Sequence, residues 1–329
     1  MNYIKSIPVL ASIILLAFTA CQKDNALNQS TIGEDQKTIE LSSLSRQCAT
    51  HEYNEAMMEK NQQFKDNQRD IEDFTTRYVA QYEKGVTPRM VVTIAVVVHV
   101  VYRTAAENIS DAQIQSQIDI LNADFRKLNA DRTLVPSNFT GVAADCEINF
   151  VLSQIVRKAT TVTSFGYSGD PVKKSSQGGS DPVNPTTKLN IWACNLGGGL
   201  LGYAQFPGGS AATDGVVCLY SAFGNTSYVP YNKGRTATHE VGHWFNLRHI
   251  WGDKRCGNDF ISDTPAHDDA NYGCPAAGAK SNCQGEPIEM WMNYMDYTDD
   301  ACMYMFTNGQ TARAKATLVN RKSRASYVQ

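Results

Sequence analysis

The chain has 329 residues, of which 42% are hydrophobic and 19% are charged. This composition is typical of a globular protein with a buried core, and the length suits one large domain or two ordinary ones. The formal net charge is −3, and the Lys and Arg residues form no long basic block. The protein has no overall positive electrostatic field that would attract nucleic acid, so we expect no nucleic-acid partner.

The N-terminus is typical of an exported protein. An apolar run over residues 7–20 is too short to span a bilayer, which predicts a signal peptide over residues 1–20. The segment Phe18-Thr19-Ala20-Cys21 resembles a bacterial lipobox, with Phe where Leu is usual. We therefore expect Cys21 to be lipidated and to hold the chain on the outer membrane or cell surface through the lipid alone. The alternative is plain secretion after a cut near Ala20.

Residues 21–89 differ in composition from the rest of the chain. They begin as a polar tether rich in Asn, Gln, Ser and Thr and continue as a charged stretch from Glu52 to Lys84 that we predict to be helical. A break in composition follows at residues 85–89. We place the boundary of the main domain there, so that it covers residues 90–329, a normal size for one domain.

The main domain begins with the pattern of a layered α/β fold. Residues 91–102 are a dense β-branched run without polar alternation, which predicts a strand buried on both faces. A capping-box sequence at residues 110–113 then opens a helix that ends near Asn129. Three further strands are predicted, and the last two are separated by a glycine-rich stretch at residues 197–208. They cover residues 147–156, 189–192 and 215–220.

One short segment carries three of the six histidines: His239-Glu240-Val241-Gly242-His243, followed by His249. Histidines at i and i+4 of a helix project from one face with Cβ atoms about 6 Å apart. Both imidazoles can then reach one zinc ion at about 2 Å, and a third imidazole leaves one position open for water, as catalytic zinc sites require. A random chain would show this spacing with a probability on the order of one in ten thousand.

The third histidine can reach the same ion only if the helix stops and the chain turns. Asn246 stands three residues before His249. Helices commonly end with a residue in the left-handed conformation, which is usually Gly and sometimes Asn. The metzincin pattern H-E-x-x-H-x-x-G-x-x-H is therefore matched, with Asn246 at the glycine position. One alternative stays open, a different zincin in which a Glu replaces His249 as the third ligand.

The segment from His239 to Asp253 resembles the active site of the pappalysin family of metzincins, especially its bacterial cytophagalysin branch. The resemblance extends through residues 262–265, 271–275 and 293–303 and covers most of residues 91–315. It implies a zincin-type α/β (α+β) fold: a mixed twisted sheet, a backing helix, an active-site helix and an irregular C-terminal subdomain with a Met-turn. It also implies a zinc endopeptidase that acts on protein or peptide substrates. We expect the protein to be a monomer.

The resemblance implies roles for residues after the zinc segment. Met295 would be the Met-turn residue, and Tyr297 would approach the zinc and hydrogen-bond the reaction intermediate. Two disulfides are implied, Cys256–Cys283 and Cys274–Cys302, while Cys146, Cys194 and Cys218 are left as candidate buried thiols. The family binds calcium in the loop at residues 258–264, where the candidate side-chain ligands are Asp259, Asp263 and Thr264. A solvated acidic loop is the alternative there.

The resemblance also implies latency. Cys48 resembles a pro-segment cysteine that occupies the open zinc position, although Ala49 follows it where Gly is usual. Maturation would then cut near Arg89, and the alternative to a lasting lipid anchor is extracellular release after this removal of the pro-segment. Asp299 and Asp300 lie where metzincins build the pocket for the residue after the cut, which suggests a preference for Arg or Lys.

In the expected reaction Glu240 is the general base of peptide hydrolysis and Tyr297 stabilises the oxyanion. The alternative function is a surface binding protein with a metzincin fold that has lost its activity.

Overall fold

The computed structural model describes Met1 and residues 45–86 and 90–328. The signal peptide apart from Met1, the lipidation candidate Cys21, the polar tether and Arg89 lie outside the described residues. From Ser45 onwards the chain forms one compact unit. In the described part of the chain, no helix combines the length and the apolar character needed to cross a membrane.

The charged stretch before the main domain forms two helices, α1 (Thr50–Lys60) and α2 (Gln62–Glu83). The stretch from Glu52 to Lys84 was predicted to be helical, without a break at Asn61. Asn61 adopts an extended conformation, and its side chain accepts a hydrogen bond from the backbone of Phe64, which caps α2. Helix α2 buries Phe64 and Ile71. Both helices contact elements of the main domain.

A five-stranded sheet forms the centre of the domain. Its strands are β1 (Val92–Tyr102), β2 (Ile148–Ala159), β3 (Leu189–Cys194), β4 (Gly202–Ala204) and β5 (Val216–Leu219). Their order in the sheet is β2-β1-β3-β5-β4, and all neighbours are parallel except β4 and β5. Strand β1 is buried along almost its whole length, as its β-branched run predicts.

Three helices complete the domain: α3 (Asp111–Phe125), α4 (Arg235–Trp244) and α5 (Asn308–Val319). Helix α3 begins at Ser110, whose side chain accepts from Gln113 N at 3.1 Å, and it packs against β2 and α4. Helix α4 is buried along its whole length and packs under β4 and β5. The antiparallel edge strand β4 therefore lies directly beside the helix that carries His239 and His243.

The region between α4 and α5 has little regular structure and is held by disulfides. Cys256 bonds Cys283 and Cys274 bonds Cys302, with Cα–Cα distances of 5.7 and 5.6 Å. These are the two pairs implied by the family resemblance. Among the described residues the free thiols are all buried, namely Cys48, Cys146, Cys194 and Cys218.

Candidate active site

Three imidazoles converge at the end of α4. The Nε2 atom of His243 lies 3.1 Å from the Nε2 atoms of both His239 and His249. All three side chains are buried, and burial lowers the pKa of His239 and His243 well below the usual value. Neutral imidazoles with their nitrogen lone pairs facing one point are the form that binds a metal ion.

The chain reverses at Asn246, as expected from the sequence. Helix α4 ends at Trp244, and Asn246 has a φ of 66°, in the left-handed region. Leu247 N then donates to Gly242 O at 3.1 Å, which closes the turn and directs the following residues back toward the helix. His249 reaches the other two histidines because of this turn.

Each imidazole is oriented by a hydrogen bond at its other nitrogen. Nδ1 of His239 donates to Tyr294 O at 2.7 Å, and Nδ1 of His243 donates to Leu247 O at 2.8 Å. Nδ1 of His249 donates to the carboxylate of Asp253. Burial would raise the pKa of Asp253, but the hydrogen bond from His249 lowers it to about 2. These partners fix the ring orientation and the tautomer of each histidine.

Cys48 is a fourth donor. Its sulfur and the three imidazole nitrogens lie within 4.8 Å of one another, and all four side chains are buried. Tetrahedral zinc with bonds of about 2.0–2.3 Å requires donor atoms roughly 3.3–3.8 Å apart. The N₃S donor set is one that zinc accepts, and the four donor atoms converge to within about an ångström of this spacing. Burial raises the pKa of the free thiol of Cys48.

Glu240 lies beside this cluster. Its Oε2 atom accepts from Thr50 Oγ1 at 2.9 Å and from Cys48 Sγ at 3.4 Å. Burial raises the pKa of the carboxyl group to about 7. Strand β4 passes so close that a Cβ atom at Gly202 would lie 2.7 Å from Glu240 Cγ, and only glycine leaves room for this side chain.

Met295 and Tyr297 both contact the segment that carries the histidines. Met295 is fully buried against α4, where a Cβ atom at Gly242 would lie 2.4 Å from its sulfur. The Tyr297 ring packs edge-on against His249 with a centroid distance of 4.9 Å. Its hydroxyl donates to Cys48 O at 3.1 Å. Tyr297 therefore packs against the histidine cluster, and Met295 packs against the helix that carries two of its members.

Arg46, two residues before Cys48, is buried against Asp300. Arg46 Nη2 lies 2.6 Å from Asp300 Oδ1, and both side chains are buried. The other oxygen of Asp300 accepts from the backbone nitrogens of Lys233 and Arg235 at 2.8 and 3.2 Å. Asp299 is only partly buried. Of the two acidic candidates, Asp300 is the one that binds a basic side chain.

The edge of β4 is covered by the segment around Cys48. Leu201 N donates to Gln47 O at 2.9 Å, and Ala49 N donates to Gly202 O at 3.1 Å, in a parallel arrangement. Further along the strand, Thr50 accepts from Ala204 N at 2.9 Å. The side chain of Asn54 bonds Ala204 O at 2.9 Å and Phe206 N at 2.8 Å. The outer edge of β4 thus has its backbone hydrogen-bonding groups satisfied. The partners are the backbone of residues 47–49 and the side chains of Thr50 and Asn54.

The three calcium candidates do not all meet. Thr264 Oγ1 donates to Asp259 Oδ2 at 2.8 Å, and burial raises the pKa of Asp259 to about 6. Asp263 instead accepts from Thr307 Oγ1 at 2.6 Å and Gly309 N at 2.9 Å. Asp263 therefore binds the beginning of α5, while Asp259 and Thr264 remain together.

Several contacts of the site were not predicted from the sequence. Asp253, Arg46 and Thr50 were given no role, although each touches a predicted site residue. A carboxylate four residues after His249 is a local signal for Asp253. Arg46 and Thr50 have no such signal, since they meet their partners across 254 and 190 residues of sequence.

Known proteins resemble this chain in sequence and structure. The sequence profile described as pregnancy-associated plasma protein-A, a peptidase family, matches residues 180–319. A protein named extracellular metalloprotease from Verticillium alfalfae is 33% identical over 249 residues, which is 72% of this chain and 81% of that protein.

Two of the solved structures that this chain resembles are forms of mirolysin. Mature mirolysin from Tannerella forsythia, in complex with a cleaved peptide, is 46% identical and has a TM-score of 0.70, covering 73% of this chain and 96% of that one. A glutamate-to-alanine mutant of promirolysin from the same organism is 42% identical with a TM-score of 0.77, covering 86% and 97%. These matches confirm the expected metzincin-type fold with its mixed sheet. The chain belongs to the pappalysin family of metallopeptidases, as its zinc-motif resemblance predicted.

Proposed function

We propose that this chain is a zinc-dependent endopeptidase made as a latent precursor, with His239, His243 and His249 as zinc ligands. The observation that carries the proposal is the meeting of three oriented imidazoles beside the buried carboxylate of Glu240. Zinc bound there would supply Lewis-acid chemistry, which acidifies water and polarises a carbonyl group.

The residues of the chain supply the proton transfers. Glu240 takes a proton from the attacking water and passes it to the leaving amine. Tyr297 donates its hydroxyl hydrogen to the oxygen that becomes negative, a role supported by its reach to Cys48 O in the present structure. Met295 forms the hydrophobic floor under the histidines, since its thioether fills the gap opposite Gly242.

The segment around Cys48 supports latency. Its thiol stands among the imidazoles, and a thiolate is a strong zinc ligand. Mature mirolysin matches 73% of this chain and promirolysin matches 86%. The difference of 13 percentage points corresponds to about 43 residues, close to the length of residues 45–86. We propose that residues 21–89 are tether and pro-segment, removed by a cut near Arg89, and that residues 90–329 are the catalytic domain.

The same contacts suggest how a substrate binds. Once the pro-segment leaves, the open edge of β4 can pair with an extended peptide. Asp300 would then face the side chain that follows the cut, and its ion pair with Arg46 supports a preference for Arg or Lys there.

Export and calcium binding complete the proposal. The Verticillium relative is named extracellular, which agrees with a signal peptide at residues 1–20 and, by the lipobox resemblance, with lipidation of Cys21. Asp259 and Thr264 are the proposed side-chain ligands of a structural calcium ion. Asp263 is the weakest of the three candidates, because its carboxylate already binds α5.

Peptide hydrolysis by the full-length chain tests the proposal. We expect cleavage of casein after maturation, loss of cleavage with a chelator, recovery with zinc, and loss in Glu240→Gln. Glu107→Gln is the matched control, because Glu107 is a buried glutamate outside the site. Hydrolysis that survives both the chelator and Glu240→Gln would reject the mechanism. A folded, zinc-loaded chain without any hydrolysis would instead favour an inactive surface binding protein.

A further inference from the structure

A carboxylate of the second helix is bound next to the turn of the zinc motif. Glu72 lies on α2, and its Oε1 accepts from Asn246 Nδ2 at 2.8 Å and from Arg313 Nη2 at 2.8 Å. Its Oε2 accepts from Arg313 Nη1 at 3.1 Å. One carboxylate thus receives a bidentate pair from α5 and a third bond from the residue that turns the chain toward His249.

The guanidinium of Arg313 depends on this carboxylate. The side chain of Arg313 is 2% exposed, and its Nη2 also donates to Asn246 O at 3.1 Å. Within residues 45–86 and 90–328, Glu72 is the carboxylate at ion-pair distance from it. Burial would raise the pKa of Glu72, but Arg313 lowers it, so the pair is ionic. Removing one member of a buried ion pair leaves the other uncompensated, which is strongly unfavourable.

The side chain of Asn246 has a function separate from the backbone turn. With a φ of 66°, the position would suit glycine at least as well as asparagine. Glycine could not, however, donate to Glu72. Asparagine supplies both the left-handed turn and a hydrogen-bond donor that faces α2.

We propose that Asn246 and Arg313 form a carboxylate-binding site that holds Glu72 and thereby fastens the pro-segment helix α2 to the turn of the third histidine. The site acts independently of the thiol of Cys48, which holds the other end of the pro-segment. This proposal depends on the proposed function in one respect, namely that the residues before position 90 form a removable segment.

Hydrogen exchange of α2 tests the site directly. The full-length chain carries Glu240→Ala, so that it cannot process itself, and amide exchange is followed over residues 62–83. We expect Asn246→Gly to speed exchange about tenfold, the effect of losing a charge-assisted hydrogen bond. Glu72→Gln should speed it further, because it also leaves the buried guanidinium of Arg313 uncompensated. The double variant should exceed the faster single variant by less than about threefold, because both changes remove one contact.

One further variant is a control, and another is a second test of the site. Asp70→Asn breaks an exposed ion pair between α2 and Lys322 and should change exchange less than about twofold. Asn246→Asp keeps a residue that tolerates the left-handed turn but sets a second carboxylate against Glu72, so its exchange should exceed that of Asn246→Gly. If Asn246→Gly does not fold, Asn246→Asp and Glu72→Gln carry the test.

Exchange in Asn246→Gly or Asn246→Asp that equals the parent rate would overturn the site. So would a double variant whose effect is the product of the single effects. Hydrogen exchange can be measured without peptidase activity. The experiment therefore tests this site even if the proposed function is wrong.

Discussion

The sulfur of Cys48 lies 3.4 Å from Oε2 of Glu240, and both side chains are buried. The same thiol stands with three imidazole nitrogens in one cluster. A residue of the proposed pro-segment therefore touches both the proposed base and the proposed metal ligands. The thiol lies where the proposed mechanism places the attacking water beside Glu240.

Loss of this thiol should shorten latency. In Cys48→Ala the cluster keeps three imidazoles and loses its fourth donor. We expect the lag before peptide hydrolysis to shorten at least about tenfold, which needs only about 1.4 kcal/mol. Cys146→Ala is the control, since Cys146 is another buried free thiol outside the cluster. Equal lags in the two variants would remove Cys48 from the latency mechanism.

Loss of the Tyr297 hydroxyl should lower kcat. Tyr297→Phe keeps the ring that packs against His249 and removes the proposed donor to the oxyanion. We expect kcat to fall about 10- to 100-fold with little change in KM, because the bond is made mainly in the transition state. Tyr304→Phe, in the same hydrophobic cluster, should leave kcat unchanged. A rise in KM at constant kcat would assign Tyr297 to ground-state binding instead.

Asp300 should set the preference for a basic residue after the cut. Asp300→Asn removes the charge that pairs with Arg46 in the precursor. We expect kcat/KM to fall about 10- to 100-fold for peptides with Arg after the cut, while peptides with Leu there change little. Asp299→Asn is the matched control. Cleavage profiling in which apolar residues dominate for the unaltered enzyme would reject the preference.

The disulfide Cys256–Cys283 should stabilise the irregular region after α4. Its sequence separation is 27 residues, for which the chain-entropy relation gives about 3.5 kcal/mol. Replacing both Cys256 and Cys283 by serine should lower the thermal unfolding temperature under non-reducing conditions. Under reducing conditions the two proteins should unfold more nearly together. An unchanged unfolding temperature would mean that the loop is already ordered in the unfolded chain.

The local parts of the site could be predicted from the sequence. His239 and His243 share a helix face because of helical periodicity, and Asn246 is one of the few residue types that end a helix in the left-handed conformation. The dense β-branched run predicts the central strand β1. Each of these inferences depends on residues that are neighbours along the chain.

The remaining contacts depend on tertiary packing. Strand β4 has only three residues, too few for a periodic pattern, and its pairing requires β5 and α4. Glu72 reaches Arg313 across 241 residues of sequence. The break between α1 and α2 at Asn61 lay within a charged stretch that is compatible with one continuous helix. Such features follow from how elements pack and leave little trace in short segments.

The metal content of the purified full-length chain tests most directly whether three imidazoles meet at one ion. We expect one zinc per chain by mass spectrometry after dialysis, and a large loss in His249→Ala. His51→Ala should keep its zinc, since His51 lies beside Asp253 but outside the cluster. A chain that is free of metal, or a His249→Ala variant that binds zinc as tightly as the unaltered protein, would contradict the proposed site.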